Sequence, residues 1–484
     1  MRFVLSESQL RIRNSTTRIP FRYGKACLIK CPQALLRVKI DTQQGSFLGH
    51  AGDCLPPGWF DKRPGRSYAQ QIQDMLSCIN QCQEVFASLA SHPVEFFSAW
   101  SDAYDQTQVT ATSCGWSGLL ASFGLSLIER AVIDAMCRAA GVSFAQGVRR
   151  NILGIDAGSI HPELIGLSPA DWLPKSPRKT LFVRHTIGLA DPIRSADISP
   201  EDRVNDGLPQ SLEEYVGVDQ IHYFKIKVSN RLDQDLQRLR VIAETVETDL
   251  GDNYCVTIDG NEQYGCAEEF DEFIRRLRED GKLAGIWRNT LAIEQPLERS
   301  LALEEEHTRG VKELSGHKPV IIDESDSTIE AFRLAKKLGY RGVSSKCCKG
   351  VVKSLLNAGL AWVWNEQGKR NTFLMTGEDL CCVGVVPVQQ DLCLVANLGL
   401  SHLERNGHHY HPGLGYLPGE VRANALESHP DFYAQQRELI GPQVRAGQFH
   451  VGSLHCPGFG YNCQTGFEHM TPVNQWDYES LGLE

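Results

Sequence analysis

FKIKV (224–228), YCVTID (254–259), LAIEQP (291–296), PVIID (319–323) and GVSSK (342–346) follow one another along the chain. Each is a short apolar run carrying charge at or near its end. Amphipathic stretches separate them. Leu232, Leu236, Leu239, Ile242 and Val246 follow the first run, and Phe270, Phe273, Ile274 and Leu277 follow the second. These residues have the three-and-four spacing of one helix face. LFVRHTIG (181–188) comes before the set. TFLM (372–375) comes after it, with a helix expected around Leu392 to Leu400. A strand–helix unit returning every roughly 23 to 35 residues is the period of a parallel α/β barrel. No GxGxxG closes the first strand, which argues against an open dinucleotide-binding sheet.

In such a barrel the carboxyl ends of the strands meet at one mouth, where active sites lie. Lys225 and Lys227 are two apart on one strand and share a face. Asp259, Glu294, Asp323 and Lys346 each stand toward the end of a successive strand. Three carboxylates from adjacent strands make an oxygen-rich site for a hard divalent cation, and Mg²⁺ suits it. The charge of the cation and of a second lysine disfavours a protonated ammonium, so a lysine there can act as a base. Singly, each signal is weak. A lone KxK is usually the solvated face of a strand, and an Asp after a strand is more often a cap or turn residue. The joint order of six charged residues carries the reading.

Residues 1–175 have a different texture and read as an α+β capping domain. Strands are expected around Val38–Ile40, a Gly- and Pro-rich loop over 51–65, and helices over 67–89 and 125–140. The barrel is assigned to 176–415, and 416–484 to an extension packed on the cap or the barrel. The expected fold class is therefore α/β: a modified (β/α)8 TIM-type barrel with an N-terminal α+β cap. The 484 residues are 42% hydrophobic and 22% charged with a net charge of −10, ordinary for a globular protein with no basic nucleic-acid-binding face. No apolar run of membrane-spanning or signal-peptide length appears. Sixteen cysteines without a secretion signal read as reduced thiols, including the Cys347–Cys348 and Cys381–Cys382 pairs. The expectation is a cytoplasmic protein with a small-molecule carboxylate substrate and no membrane partner. A homo-oligomer is compatible with it.

FKIKV, TIDGNEQY, IEQPL, IIDES and SSKCCKG resemble the successive barrel signatures of the enolase superfamily. TRIPFRYG (17–24) and GLSLIERAVIDAMCRAAG (124–141) resemble its capping domain. The resemblance implies Asp259, Glu294 and Asp323 as Mg²⁺ ligands. It implies Lys227 and Lys346 as acid/base groups on opposite faces of the substrate, with Lys225 neutralising the substrate carboxylate. Asn261 and Glu324 are implied as supporting residues; Trp59 is a substrate-facing candidate because AGDCLPPGWFDK (51–62) resembles the mobile capping loop, and Glu378 is a cavity-facing candidate from its place after the seventh strand. The chemistry implied is α-proton abstraction through an enediolate, leading to epimerisation, cycloisomerisation or dehydration. The seventh strand lacks a His and the sixth ends in Lys346, which is similar to the muconate-lactonizing branch with two opposed lysines. Two rivals remain: a silent scaffold or sugar-acid sensor that keeps the metal site, and a metal-dependent barrel hydrolase, for which His185 is the one strand histidine. The His408–His411 stretch is read as structural or substrate-facing.

Overall fold

The computed structural model describes residues 1–23, 26–368, 372–380 and 382–483. Gly24 of TRIPFRYG, Asn371 and Cys381 lie outside the described residues. The chain opens with three long antiparallel strands, β1 (Arg2–Tyr23), β2 (Ala26–Thr42) and β3 (Gly45–Cys54). Three helices follow: α1 (Tyr68–Leu89), α2 (Phe96–Cys114) and α3 (Gly118–Ala139). Ser67 and Ser117 cap α1 and α3 by accepting the backbone N–H three residues on, as N-cap serines do.

Ala51 to Cys54, expected as the start of a loop, belongs to β3. Gly52 is there because its strand is crowded: a Cβ on it would meet the Ala34 carbonyl oxygen of β2 at 2.8 Å and Pro387 Cγ at 2.9 Å. A Cβ at Gly49 would overlap the Ala131 carbonyl oxygen. The loop begins only at Leu55. α3 is also longer than its apolar stripe suggests and is buried on all sides from Leu119 to Cys137. It packs against the cap sheet, α1, α2 and the barrel together.

Eight parallel strands then form a closed ring: β4 (Thr180–Ile187), β5 (Tyr223–Lys227), β6 (Cys255–Asp259), β7 (Thr290–Glu294), β8 (Val320–Ile322), β9 (Gly342–Ser345), β10 (Leu374–Glu378) and β11 (His402–Glu404). β11 pairs with β4 and closes the barrel. The fold is the (β/α)8 barrel the strand–helix period predicts, with an antiparallel sheet and helices as its cap. The helix Leu232–Leu250 buries Leu236, Leu239, Ile242 and Val246, and the helix Ala267–Glu279 buries Phe270, Phe273, Ile274 and Leu277, the stripes read from sequence.

The C-terminal segment reaches both bodies. Gln448–His450 pairs antiparallel with β4, and Thr471–Pro472 pairs with β1. Among the described residues no disulfide joins the cysteines, and no helix is long and apolar enough to cross a membrane.

Candidate active site

Period-two alternation sends Tyr223, Lys225 and Lys227 into the barrel from β5, Asp259 from β6, Glu294 from β7, Glu378 from β10 and Glu404 from β11. Asp323 and Lys346 directly follow β8 and β9. A small cavity of about 80 Å³ opens at this end. Lys225, Lys227, Asp259, Asn261, Asp323, Glu324 and Lys346 line it from the barrel, together with Asp379, Leu380, Glu404 and Asn406 on the β10 and β11 side, and Phe21, Tyr23, Pro56, Gly58, Trp59 and Lys62 line it from the cap. The loop after β3 thus lies over the mouth. Trp59 faces the cavity, whereas Phe60 is buried against Phe123.

β5 and β9 are four strands apart in a ring of eight. Lys227 and Lys346 therefore approach the mouth from opposite sides, with Asp259, Glu294 and Asp323 on the arc between them. Lys227 is half-buried and donates to Asn261 Oδ1 at 2.7 Å. Lys346 is buried. Its Nζ lies 2.7 Å from Asp323 Oδ2, 3.0 Å from Glu378 Oε2 and 4.7 Å from the centre of the Trp59 ring. Burial pushes the Lys346 ammonium down, but Asp323 and Glu378 outweigh it and hold it well above the ordinary lysine range.

Lys225 is the hub of the site. Its Nζ is 2.5 Å from Glu294, 2.9 Å from Glu404, 3.2 Å from Asp259 and 3.4 Å from Glu378. Burial opposes its charge and the four carboxylates overcome it, so it stays an ammonium. Glu378 adds Arg184 at 2.7 Å to its lysine partners. Burial pushes Glu378 up, yet Lys225 and Lys346 bring it down to about 2. Glu404 accepts from Thr186 at 2.5 Å. Glu294 is the least compensated of these groups: Oε1 faces Lys225 while Oε2 is buried without a partner. Burial and Glu378 raise it well above the ordinary range, against the pull of Lys225. Burial, then Asp323 and Glu262, push Glu324 up to about 7.

Among the described residues one group of three has carboxylate oxygens all within 4.8 Å of one another, namely Glu294, Asp323 and Glu378. An orphaned buried oxygen and an all-carboxylate donor set fit a hard divalent cation. Asp259 stands outside that tight group. It lines the cavity beside Lys225 and accepts from the Asn261 N–H at 2.7 Å.

The sequence reading did not find Glu404 or Arg184. β11 is three residues long, too short for a periodic signal. An Arg inside an apolar strand gives no hint that it faces a glutamate from another strand. His185 lies between the inward-pointing Arg184 and Thr186 and so points out of the barrel. It meets His408 Nε2 at 2.9 Å and packs on Tyr215, whose hydroxyl lies 2.5 Å from His409 Nδ1. These histidines pack behind the barrel wall, outside the cavity.

No family model matches the chain, and no curated protein matches it by sequence. Solved structures do match. A mandelate racemase/muconate lactonizing protein from Herpetosiphon aurantiacus superposes with a TM-score of 0.60 at 16% identity, over 95% of this chain and 99% of that one. A dipeptide epimerase from Enterococcus faecalis, complexed with Mg and the dipeptide L-Leu-L-Tyr, gives 0.59 at 14% identity over 95% and 99%. A muconate lactonizing enzyme from Pseudomonas fluorescens, complexed with muconolactone, gives 0.57 at 16% identity over 95% and 97%. The chain has the capped-barrel fold of these mandelate racemase and muconate lactonizing structures. At this identity the likeness establishes the fold alone.

Proposed function

We propose that the chain is an enzyme of the enolase superfamily that binds Mg²⁺, removes the proton next to a substrate carboxylate and returns one through two opposed lysines. The observation that carries this reading is the placing of Lys227 and Lys346 four strands apart, with Asp259, Glu294 and Asp323 between them. Asp259, Glu294 and Asp323 would hold the cation. Glu378 is the fixed counter-anion beneath them, because Arg184, Lys225 and Lys346 already take its oxygens. When bound, the cation supplies positive charge to the carboxylate oxygens as the neighbouring carbon loses its proton.

The side chains do the rest. Asn261 orients Lys227 toward the cavity, where its Nζ takes the α-proton and leaves the substrate as an enediolate. Lys346, held as an ammonium, delivers a proton to the opposite face. In the reverse direction the two exchange roles. Trp59, Pro56 and Gly58 cover the mouth and keep water from the carbanionic carbon. Epimerisation uses both lysines, whereas cycloisomerisation and dehydration share the first half of this path. The protein acts as a soluble cytoplasmic enzyme on a small carboxylic acid. The outward turn of His185 leaves the cavity without the histidine a barrel hydrolase would use.

The test is α-proton exchange with solvent deuterium, read by mass spectrometry over a panel of carboxylic acids with Mg²⁺ present. Lys227→Ala and Lys346→Ala should each cut exchange by roughly 10²–10⁴-fold for one enantiomer and far less for the other. Wild type that exchanges no acid of the panel would leave a silent scaffold as the better description.

A further inference from the structure

Lys346, Lys349 and Lys353 are three and four residues apart, the spacing of one helical face. Their ammonium groups interleave with two carboxylates. Lys346 Nζ lies 2.7 Å from Asp323 Oδ2. Lys349 Nζ lies 3.2 Å from Asp323 Oδ1 and 3.3 Å from Asp326 Oδ2. Lys353 Nζ lies 3.2 Å from Asp326 Oδ2 and donates to the Asp326 carbonyl at 2.5 Å. All five residues are buried. They form a ladder of alternating charge running from the cavity back into the protein.

Only the first lysine of the ladder lines the cavity. Lys349 is 2% exposed. Besides the two carboxylates it donates to Ser344 O at 2.7 Å and Ser344 Oγ at 2.8 Å. The Ser344 hydroxyl itself donates to Asp323 Oδ1. Both groups therefore engage the same oxygen of Asp323, and Oδ2 is left on the cavity side with Lys346. The turn that carries Asp323 is anchored from the cap as well. Ser122 Oγ donates to Ser327 O at 3.1 Å, and the Ile329 N–H donates to Tyr104 Oη at 2.7 Å.

A lysine sealed from solvent and from substrate cannot take part in the proton transfer. Its charge bears on the carboxylates it touches. We propose that Lys349 is a positioning residue for the cation site: it pins Oδ1 of Asp323 so that Oδ2 faces the cavity. Asp326 and Lys353 hold Lys349 in place from behind. The proposal rests on the reading of Asp323 as a cation ligand. Partners that orient a ligand from outside the coordination shell typically contribute 10–100-fold to metal affinity. A pinned carboxylate loses less freedom when it binds.

Titration calorimetry with Mg²⁺ alone on the full chain tests this without any substrate. Lys349→Met should weaken Mg²⁺ binding about 10- to 100-fold. Lys353→Met, one rung further back, should lower the melting temperature but leave Mg²⁺ affinity within about threefold, since it touches no ligand. Wild-type affinity in Lys349→Met overturns the proposal and leaves the metal site standing. An equal loss in both variants also overturns it, because general loosening would then be the cause. Wild type that binds no Mg²⁺ overturns the proposal together with the functional reading beneath it. Should Lys349→Met fail to fold, Lys349→Gln can still donate to the Ser344 carbonyl and must show at least a tenfold loss; wild-type affinity there overturns the proposal.

Discussion

The two halves of the barrel mouth carry similar charge and spend it differently. On the arc of β6, β7 and β8, Asp259 and Asp323 face the cavity and Glu294 keeps a buried oxygen with no partner. On the arc of β10, β11 and β4, Glu378 and Glu404 are saturated by Arg184, Thr186, Lys225 and Lys346. Lys225 stands between the arcs and touches both. A buried carboxylate is costly unless it is paired. The paired arc is therefore a built-in ionic floor, and on the function proposed above the open arc, with the orphaned Glu294 oxygen, would take the cation. Counting carboxylates at strand ends would not separate them; the unpartnered Glu294 oxygen does.

Replacing one carboxylate from each arc gives the largest contrast. Asp323→Asn should reduce Mg²⁺ affinity by 100-fold or more, about 3 kcal/mol, because it removes a ligand from the open arc. Glu378→Gln should change Mg²⁺ affinity little but cost about 3–5 kcal/mol of stability, since it leaves Arg184 buried without its carboxylate. Calorimetric titration and denaturant unfolding on both variants measure the pair. If Glu378→Gln loses metal as Asp323→Asn does, then Glu378 is a ligand and the tight group of Glu294, Asp323 and Glu378 is the cation site.

Most of the open arc could be read in the sequence, and most of the paired arc could not. FKIKV, YCVTID, LAIEQP and PVIID each combine apolar alternation with a charge near the strand end, so Lys227, Asp259, Glu294 and Asp323 announce both element and direction. Glu404 ends a three-residue strand, which is shorter than any pattern that could reveal it. Arg184 has meaning only beside Glu378, nearly two hundred residues away in sequence. Glu378 stood out as a charge after the seventh strand, but its three cationic partners come from three other strands. The same limit hid Lys349 and Lys353. Their spacing shows in the sequence, while the carboxylates they interleave with come from the neighbouring β8 turn. Ala51–Cys54 reads as loop in the sequence because Gly52 answers to the close approach of β2 and Pro387, and not to a turn.

Acid should sharpen the comparison further, because strands of the paired arc carry buried neutral histidines. Burial lowers His185 to about 3. Burial, then Arg184, lowers His402 to about 3. Both lie below the ordinary value near 6.5. The unfolded chain then binds protons that the folded chain refuses. Their contribution to stability is complete above pH 6.5 and is lost as pH falls from 6.5 toward 3. At pH 5 the loss is about 2 kcal/mol for each histidine. Thermal melts between pH 8 and pH 5 should show a falling midpoint, and His185→Gln should flatten that fall. An unchanged pH profile in the variant would mean that His185 is not among the groups that set it.

The smallest expected effect distinguishes the two sides of the cavity. Lys346 has an aromatic face as well as two carboxylates, whereas its opposite, Lys227, donates to Asn261. Trp59 belongs to the cap loop, so its ring meets Lys346 only while that loop covers the mouth. A cation–π contact at a partly buried site is worth about 1 kcal/mol, roughly fivefold in rate. Trp59→Leu removes the ring's electrostatic attraction but keeps an apolar cover over the cavity. It should therefore slow proton exchange at the face served by Lys346 about fivefold and leave the Lys227 face nearly unchanged. Exchange of each substrate enantiomer in deuterated solvent reads the two faces separately. Equal slowing at both faces would mean that Trp59 acts by closing the cavity to water, and its contact with Lys346 would then carry no catalytic weight.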